Sequence, residues 1–290
     1  MRSIKKILLA VPPVPESPAL LRGEQLAAKL GATLNLLVCD ARDDQGEFLD
    51  QQLARLRLLG IPALGERANV DTEHASSAIL SACQVQEYDL IIKQHQPASG
   101  LKQLLVPPDD WQLVRLSPAP LLLVRSRSPW EGSSVLAAMD VEHHDPAHLA
   151  LQGNVMGHAS DLCELFGASL HVVSAYSPTL LPAADPSVAP DQSVARHCHD
   201  QCQWFQNEYE VPEHRLHIGE GPAKALIPQI ARQLDATLVV LGTVARHGIS
   251  GALLGNTAEA VLDHLDGDVL VLKPNMAHTQ HAEPTGHRAA

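Results

Sequence analysis

The feature of this 290-residue sequence that most constrains its fold is an internal repeat. Apolar runs in the first part of the chain recur in the second part in the same order. Asp89–Ile92 returns as Thr237–Val240, and Leu121–Val124 returns as Val269–Leu272, each 148 residues later. Self-similarity over a whole domain length indicates a duplicated fold. We therefore expect two units with the same strand order that meet across a pseudo-two-fold axis.

Within each unit, short apolar runs alternate with longer amphipathic stretches, and Ile7–Val11 of the first unit matches Val135–Met139 of the second. Continuous apolar strands separated by crossover helices are typical of a parallel sheet covered by helices, an α/β fold. In the second unit the pattern predicts strands near 134–139, 168–174, 214–218, 237–241 and 268–272, and helices near 145–166, 192–210, 222–234 and 256–265. We place the domains at 1–128 and 133–275, with a disordered tail at 276–290.

A glycine-rich stretch in the second unit is the strongest functional signal. It runs from Gly242 to Thr257, directly after the apolar run Leu238–Leu241 and directly before a helix-like segment. A buried strand, a glycine-rich loop and a helix start together present free backbone N–H groups to a phosphate, and glycine lets the backbone come close. The sequence therefore predicts a phosphate-binding loop after the fourth strand of the second unit.

Composition excludes several classes of function. The net charge is −12 with histidines neutral, which disfavours nucleic acid and anionic membrane surfaces as partners. The apolar runs are far too short to span a bilayer. The chain has five cysteines, an odd number that suits reduced thiols better than a disulfide framework, so we expect a cytoplasmic protein. The pair Cys198 and Cys202 lacks a second ligand cluster of matching spacing, so we expect no metal site.

The Gly242–Thr257 stretch, with Asp140 at the end of the first strand of its unit, resembles the motif of the universal stress protein family in its tandem form. The resemblance covers residues 4–274 and is more specific in the second unit than in the first. It implies two tandem doubly wound, Rossmann-like domains, each a five-stranded parallel sheet with helices on both faces, packed through their edge strands. It also implies nucleotide binding in the members that keep the glycines.

Carried onto this sequence, the resemblance implies one site for ATP, with or without Mg²⁺, or for a related adenosine nucleotide. Ala245 departs from the family pattern, because a second glycine is expected there, and Asn256 stands where serine or threonine is usual. Arg246 adds a guanidinium that suits a phosphate. The expected nucleotide-binding residues are Asp140, Val172, Gly242, Ala245, Arg246, Gly255, Asn256 and Thr257.

The first unit lacks this motif. The 148-residue spacing places Gln94 opposite Gly242, Pro97 opposite Ala245 and Pro107 opposite Gly255, and Pro12 stands opposite Asp140. Two prolines remove N–H donors that a phosphate loop would supply. We therefore expect no phosphate binding in the first unit, which is either purely structural or specific for a different ligand.

Two functions from different classes remain open at this stage. One is a stress-response protein that binds an adenosine nucleotide and hydrolyses it slowly or not at all, since no residue beside the loop qualifies as a general base. The other is a nucleotide-free scaffold that binds a protein partner or an apolar small molecule. A second copy of the chain and another stress-response protein are the protein partners we consider.

Overall fold

We describe the protein from a computed structural model of the 290-residue chain. The residues described are 1, 3–12, 14, 16–39, 45–68, 75–95, 109–140, 145–176, 200, 203–243, 261–262 and 264–274. The predicted tail at 276–290 and most of the glycine-rich stretch lie outside these ranges.

The first half alternates five strands with four helices. They are β1 (Lys6–Val11), α1 (Pro18–Leu30), β2 (Thr33–Cys39), α2 (Gln45–Leu58), β3 (Ala63–Ala68), α3 (Ala75–Val85), β4 (Leu90–Gln94), α4 (Asp109–Leu116) and β5 (Leu121–Val124). The second half repeats the alternation. Its elements are β6 (Ser134–Met139), α5 (Pro146–Phe166), β7 (Ser169–Tyr176), β8 (Leu216–Glu220), α6 (Ala223–Gln233), β9 (Ala236–Gly242) and β10 (Asp268–Leu272), with further helical residues at 203–209 and 261–262.

All ten strands form one sheet in the order β3-β2-β1-β4-β5-β10-β9-β6-β7-β8. Each half has the same internal order, and every strand pair is parallel except β5 with β10. In that antiparallel pair Leu122 lies opposite Leu270, its counterpart 148 residues later. The predicted doubly wound fold is confirmed, and the halves meet through their edge strands about a pseudo-two-fold axis.

The first helix of each half begins and ends with the same local signals. Ser17 caps α1 by accepting a hydrogen bond from the Leu20 amide at 3.0 Å, and Asp145 caps α5 in the same way. A proline follows each cap, at the first helical position, where its missing N–H costs no hydrogen bond. Each helix ends at a left-handed glycine, Gly31 or Gly167, a conformation that other residues adopt only at a cost.

Helices cover both faces of the sheet, so two apolar layers form. One layer packs under α1, α2 and α5 and includes Leu9, Leu36 and Val172. The other packs under α3, α4 and α6 and includes Leu8, Ile91 and Val173. Alternate residues of each strand thus enter different layers, as expected for strands buried on both faces.

The carboxylate of Asp268 links the halves at the centre of the molecule. It is fully buried at the start of β10 and accepts hydrogen bonds from Arg22 Nε (3.1 Å), Trp130 Nε1 (3.0 Å) and the Arg125 and Ser126 amides (2.8 and 3.2 Å). Arg22 also stacks on the Trp130 ring, 4.1 Å from its centroid. A buried carboxylate is stable only with such partners, so Asp268 fixes the connection between the halves.

The residue that follows the last strand of each half bonds to carbonyl groups of the other half. Arg125 follows β5, and its guanidinium donates to the carbonyls of Leu262 (2.6 Å) and Leu265 (2.8 Å). Lys273 follows β10, 148 residues later, and donates to the Ser117 carbonyl (2.6 Å) just beyond α4. Cations are favourable at the carbonyl ends of helices. The hydrogen bonds of Arg125 and Lys273 therefore connect each half to the other.

The predicted elements of the second half differ from the structure mainly at their ends. The strand predicted at 214–218 is β8 at 216–220, because Glu213–Arg215 forms a 3-10 turn after Pro212. Of the helix predicted at 192–210, residues 203–209 are described as helical, and of that predicted at 256–265, residues 261–262 are. The domain boundaries near 128 and 133 stay predictions.

Candidate functional site

The candidate site of the second half lies where the chain leaves the centre of its five strands. β6 has β7 on one side and β9 on the other, so the connection that leaves β6 runs toward β7 and the one that leaves β9 runs toward β10, in the opposite direction. Open α/β sheets bind ligands in the crevice at such a position. Asp140 directly follows β6 and Gly242 ends the adjacent β9, so the structure brings these two predicted residues together.

The chain at Asp140 is held by α5. The buried side chain of Gln152 donates a hydrogen bond from Nε2 to the Asp140 carbonyl. The helix begins after the Asp145 cap. Leu149, three residues before Gln152, is exposed. The Asp140 side chain itself is exposed at the rim of the sheet. Its backbone is therefore fixed while its carboxylate faces solvent, as a ligand contact requires.

Gly242 has a packing role that the motif does not indicate. A Cβ placed on it would lie 2.5 Å from Cδ2 and 2.6 Å from Cγ of Leu151, a buried residue of α5. Only glycine leaves room for this approach of helix and strand. The glycine thus permits the observed packing of Leu151 against β9, whether or not a phosphate also needs it.

Val172, another of the expected nucleotide-binding residues, lies in the middle of β7 and below the rim of the sheet. It pairs with Ala137 of β6 and Leu216 of β8, and its side chain is fully buried. Asp140 follows Met139, which pairs with Ser174. At about 3.3 Å per residue, Val172 lies about 10 Å below the level of Asp140. The residue of β7 at the level of Asp140 is Ala175, and the contact of Val172 with a nucleotide stays a prediction.

Ser174 is a candidate site residue that the sequence did not single out. It is 1% exposed, and its Oγ has no hydrogen-bond partner among the described residues. Because a buried hydroxyl without a partner carries a desolvation cost, this group is available to a polar atom of a ligand. A serine within an apolar strand was the only signal in the sequence.

The remaining predicted residues, Ala245, Arg246, Gly255, Asn256 and Thr257, lie outside the described residues, as do Cys198 and Cys202. The described residue next to the loop is Thr243, whose amide donates to the Leu272 carbonyl at 2.9 Å. Beyond the loop, Leu262 and Leu265 accept the hydrogen bonds from Arg125. Both flanks of the glycine-rich stretch are therefore anchored to the sheet or the opposite half.

The same end of the first half carries a cluster of charged side chains. Lys93 and His95 stand at the end of β4, and Asp109 and Asp110 begin α4. Lys93 Nζ lies 2.5 Å from Asp110 Oδ1 and 3.3 Å from Asp109 Oδ2. His95 Nδ1 donates to Asp110 Oδ2 at 2.5 Å, since the carboxylate can only accept. We call these four residues the rim cluster.

Two members of the rim cluster, Lys93 and Asp110, are held in charged form. Burial alone would raise the pKa of Asp110, but hydrogen bonds from His95 and Lys93 and the Lys93 charge outweigh it and lower that pKa. Burial works against the ammonium of Lys93 as well, yet the two carboxylates raise the pKa of Lys93. Asp109 also accepts the Ser76 amide at 3.0 Å, so the cluster joins α3 to α4.

The 148-residue spacing places Asp109 opposite Thr257 and Asp110 opposite Ala258. The first half therefore puts its own carboxylates at a helix N-terminus, where the second half is expected to put a bound phosphate. Anions are favoured at that position because of the helix dipole and its unpaired N–H groups. The cluster gives a physical reason for the predicted lack of phosphate binding in the first half.

Within the described ranges, no three His, Cys, Asp or Glu side chains come close enough together to hold a metal ion. No helix in that part of the chain has the length and apolar content needed to cross a membrane.

Comparison with known proteins gives consistent results. The model of the "Universal stress protein family" matches residues 134–273. Universal stress protein E of Escherichia coli (strain K12) is 36% identical over 200 residues, which are 66% of this chain and 63% of that protein. The chain therefore covers just under two thirds of the length of this relative. The universal stress protein E homolog of Haemophilus influenzae is 31% identical over 69% of this chain and 67% of its own length.

Among solved structures, a candidate universal stress protein from Pseudomonas aeruginosa UCBPP-PA14 is 38% identical, with a TM-score of 0.82. The superposition covers 95% of both chains, so the similarity includes both halves of the sheet.

Proposed function

Because the chain belongs to the universal stress protein family, we propose that it is a stress-response protein whose second half binds ATP or a related adenosine nucleotide. In this proposal the protein binds the nucleotide and hydrolyses it slowly or not at all. The observation that carries the proposal is the position of Asp140 and Gly242 at the ends of adjacent strands β6 and β9, whose onward connections run in opposite directions.

Two further features of the site support a polar ligand. Ser174, one strand away from Asp140, has a buried hydroxyl that lacks a partner among the described residues. The glycine-rich sequence that follows Gly242 is expected to present backbone N–H donors to a phosphate, and Arg246 adds a cation. In the proposed complex, Asp140 contacts the adenosine, and Gly255, Asn256 and Thr257 contact the phosphates.

Binding of ATP with Mg²⁺ is tested by thermal unfolding. A ligand that binds only the folded state raises the midpoint once its concentration exceeds the dissociation constant. Gly255→Pro removes an N–H donor at the expected helix entry and should abolish the shift without lowering the midpoint of the free protein. An unchanged shift in this variant would show that the phosphate lies elsewhere.

Ala245→Gly is the converse test. If Ala245 is left-handed, glycine relieves about 1 kcal/mol of strain, and otherwise it widens the space beside the phosphates. We therefore expect tighter ATP binding, by about fivefold, with the fold intact. Weaker binding by this variant would contradict the proposed loop geometry.

The second candidate is a nucleotide-free scaffold, and the packing of Leu151 against Gly242 is the observation that favours it. That contact explains the first glycine of the motif without a ligand. If neither the wild-type chain nor Ala245→Gly binds ATP at millimolar concentration in calorimetry, the scaffold function replaces the first proposal.

We also propose a cytoplasmic location. The described thiols, Cys39, Cys83 and Cys163, form no disulfide. Burial raises the pKa of Cys39 and of Cys163 to about 12 and that of Cys83 to about 11. Thiols of this kind are unreactive and suit a reducing compartment.

A further inference from the structure

The outer edge of the first half carries an exposed apolar surface. Among the described residues, seven large apolar side chains are exposed, and four of them surround β3. These four, which we call the β3 patch, are Leu58 (90% exposed), Leu59 (57%), Leu64 (62%) and Val85 (87%). Clustered apolar exposure marks an interaction surface, whereas scattered exposure does not.

The β3 patch borders an open sheet edge. β3 is the last strand of the sheet on this side and pairs only with β2 among the described strands. The Pro62 carbonyl accepts from the Leu34 amide at 2.9 Å, so even-numbered residues of β3 direct their backbone groups toward β2. Ala63, Gly65 and Arg67 therefore direct their N–H and C=O groups outward, where they can pair with another strand.

The opposite edge of the sheet is better covered. β8 is half-buried over all but its last residue, Glu220, and Leu226 of α6 lies against Gly219. On the β3 side, the residues of α3 next to the strand are small, and a groove remains between them. Its lining includes Leu64, Glu66, Ala78, Ala82 and Val85. Among the described residues, β3 is thus more exposed than β8.

We propose that β3 pairs antiparallel with β3 of a second copy of this chain, which joins two ten-stranded sheets about a two-fold axis through Gly65. This register is self-complementary. It sets Gly65 opposite Gly65 and Ala63 opposite Arg67, and these are the residues whose backbone groups point outward. It also sets Leu64 opposite Glu66, so no like charges face each other. A register centred on Glu66 would place two carboxylates directly opposite, which is unfavourable.

Charge along α2 supports the same arrangement. Its first turns carry Glu47 and Asp50, and its last turn carries Arg55 and Arg57. Because α2 packs on β3, a two-fold axis through Gly65 runs the two α2 helices antiparallel. The basic end of each helix then lies toward the acidic end of the other. Arg55 already forms an ion pair with Glu24, with 2.7 Å between Nη1 and Oε1. We therefore assign the contact with the acidic end of the other α2 helix to Arg57.

The β3 patch also fits this partner. Leu64 pairs with Asn35, which pairs with Leu8 of the layer under α3, so Leu64 lies on the α3 face. Leu58 ends α2, which packs on the other face, and Leu59 follows it. A second copy that continues the sheet would therefore meet apolar side chains on both faces. The chain already joins its own halves in this way, through antiparallel β5 and β10. The inference does not depend on nucleotide binding.

The test is the oligomeric state of the full chain in sedimentation velocity across a concentration series. We expect a dimer at micromolar concentration, and we expect Leu64→Glu, which sets two carboxylates opposite each other in the proposed register, to raise its dissociation constant about tenfold or more. Leu149→Glu is the matched control, since it makes the same change at an exposed leucine of α5 and should leave the dimer unchanged. The thermal midpoints of both variants should equal that of the wild-type chain.

A charge swap tests the register. Arg57→Glu alone and the double change Glu47→Arg with Asp50→Arg should each weaken the dimer, and the three changes together should restore it. A wild-type chain that stays monomeric at all concentrations overturns the proposal, even if it captures another protein through the β3 patch. A dimer that is insensitive to Leu64→Glu also overturns it.

Discussion

The two halves share one strand order but use the carboxyl ends of their strands differently. In the first half, Lys93 and His95 at the end of β4 are bonded to Asp109 and Asp110 at the start of α4. In the second half, the corresponding positions hold Leu241, Thr243, Thr257 and Ala258, with Gly242 between strand and loop. The first half places its own carboxylates at the start of α4, and in our proposal the corresponding position of the second half receives the phosphate of a ligand.

This difference shows that the fold alone does not create a binding site. Both halves have the crevice beside their first strand, because it follows from the strand order. In our proposal they differ in whether protein side chains occupy the crevice, since Asp109 and Asp110 of the first half are bonded to Lys93 and His95. Satisfied donors stabilise the fold, while free donors are available for recognition.

Removing Asp110 should have the largest effect on stability. Asp110→Ala leaves the ammonium of Lys93 buried with only the more distant Asp109 carboxylate, and we expect a loss of about 3 kcal/mol in urea unfolding. An exposed pair gives the matched control, because Glu16→Ala removes the carboxylate that lies 3.3 Å from Arg127 and should cost under about 0.5 kcal/mol.

The double variant Lys93→Met with Asp110→Leu completes this test. An apolar replacement of a buried ion pair is often neutral, so most of the stability should return. A loss of less than about 1 kcal/mol in Asp110→Ala would show that the rim cluster does not contribute to the first half as described.

Gly242 allows the packing and binding roles of the second half to be separated. Gly242→Ala should cost about 2 kcal/mol, because its Cβ would overlap Leu151. Adding Leu151→Ala makes room, so the double variant should be no less stable than Leu151→Ala alone. If this relaxed variant binds ATP as the wild-type chain does, Gly242 serves packing only. We expect weaker binding, since the added Cβ keeps a phosphate from the backbone.

The halves should also differ in their response to acid. His171 Nδ1 and His217 Nε2 are 3.1 Å apart on β7 and β8. Burial, and next the charges of His217, Arg215 and His214, lower the pKa of His171 to about 4. Between that value and the unfolded value near 6.5 the unfolded chain binds more protons, so stability falls as the pH decreases from about 6.5 to about 4.

The first half supplies the control for this effect. Leu8 and Leu136 are corresponding residues, and they pair with Asn35 and His171 respectively. His171→Asn should therefore remove most of the pH dependence. Because His171 is partly exposed, solvent screening limits the expected loss to about 1 kcal/mol between pH 7 and pH 5, measured by urea unfolding. An equal slope in the variant would assign the dependence to other groups.

Much of the fold followed from the sequence because the repeat and the apolar runs are strong, local signals. The fixed spacing of Leu121–Val124 and Val269–Leu272 predicted two equivalent strands, and these form the junction between the halves. Caps such as Ser17 and Asp145 depend on neighbouring residues alone, so the start of α5 was predicted within one residue.

The site was predicted less completely because its features depend on contacts distant in sequence. The overlap of Gly242 with Leu151 joins residues 91 positions apart. The level of Val172 below the rim depends on its register with β6, which periodicity cannot supply. Two features of the sequence indicate the rim cluster. Lys93 is a lysine inside an apolar strand, which indicates a buried partner. Asp109–Asp110 before Trp111 is typical of a helix start.

The central claim, that one half binds nucleotide and the other does not, is tested most directly by calorimetric titration of the full chain with ATP and Mg²⁺. The account predicts a single site per chain, lost in Gly255→Pro and unaffected by Lys93→Met with Asp110→Leu. Two sites per chain, or one site that survives Gly255→Pro, would contradict it.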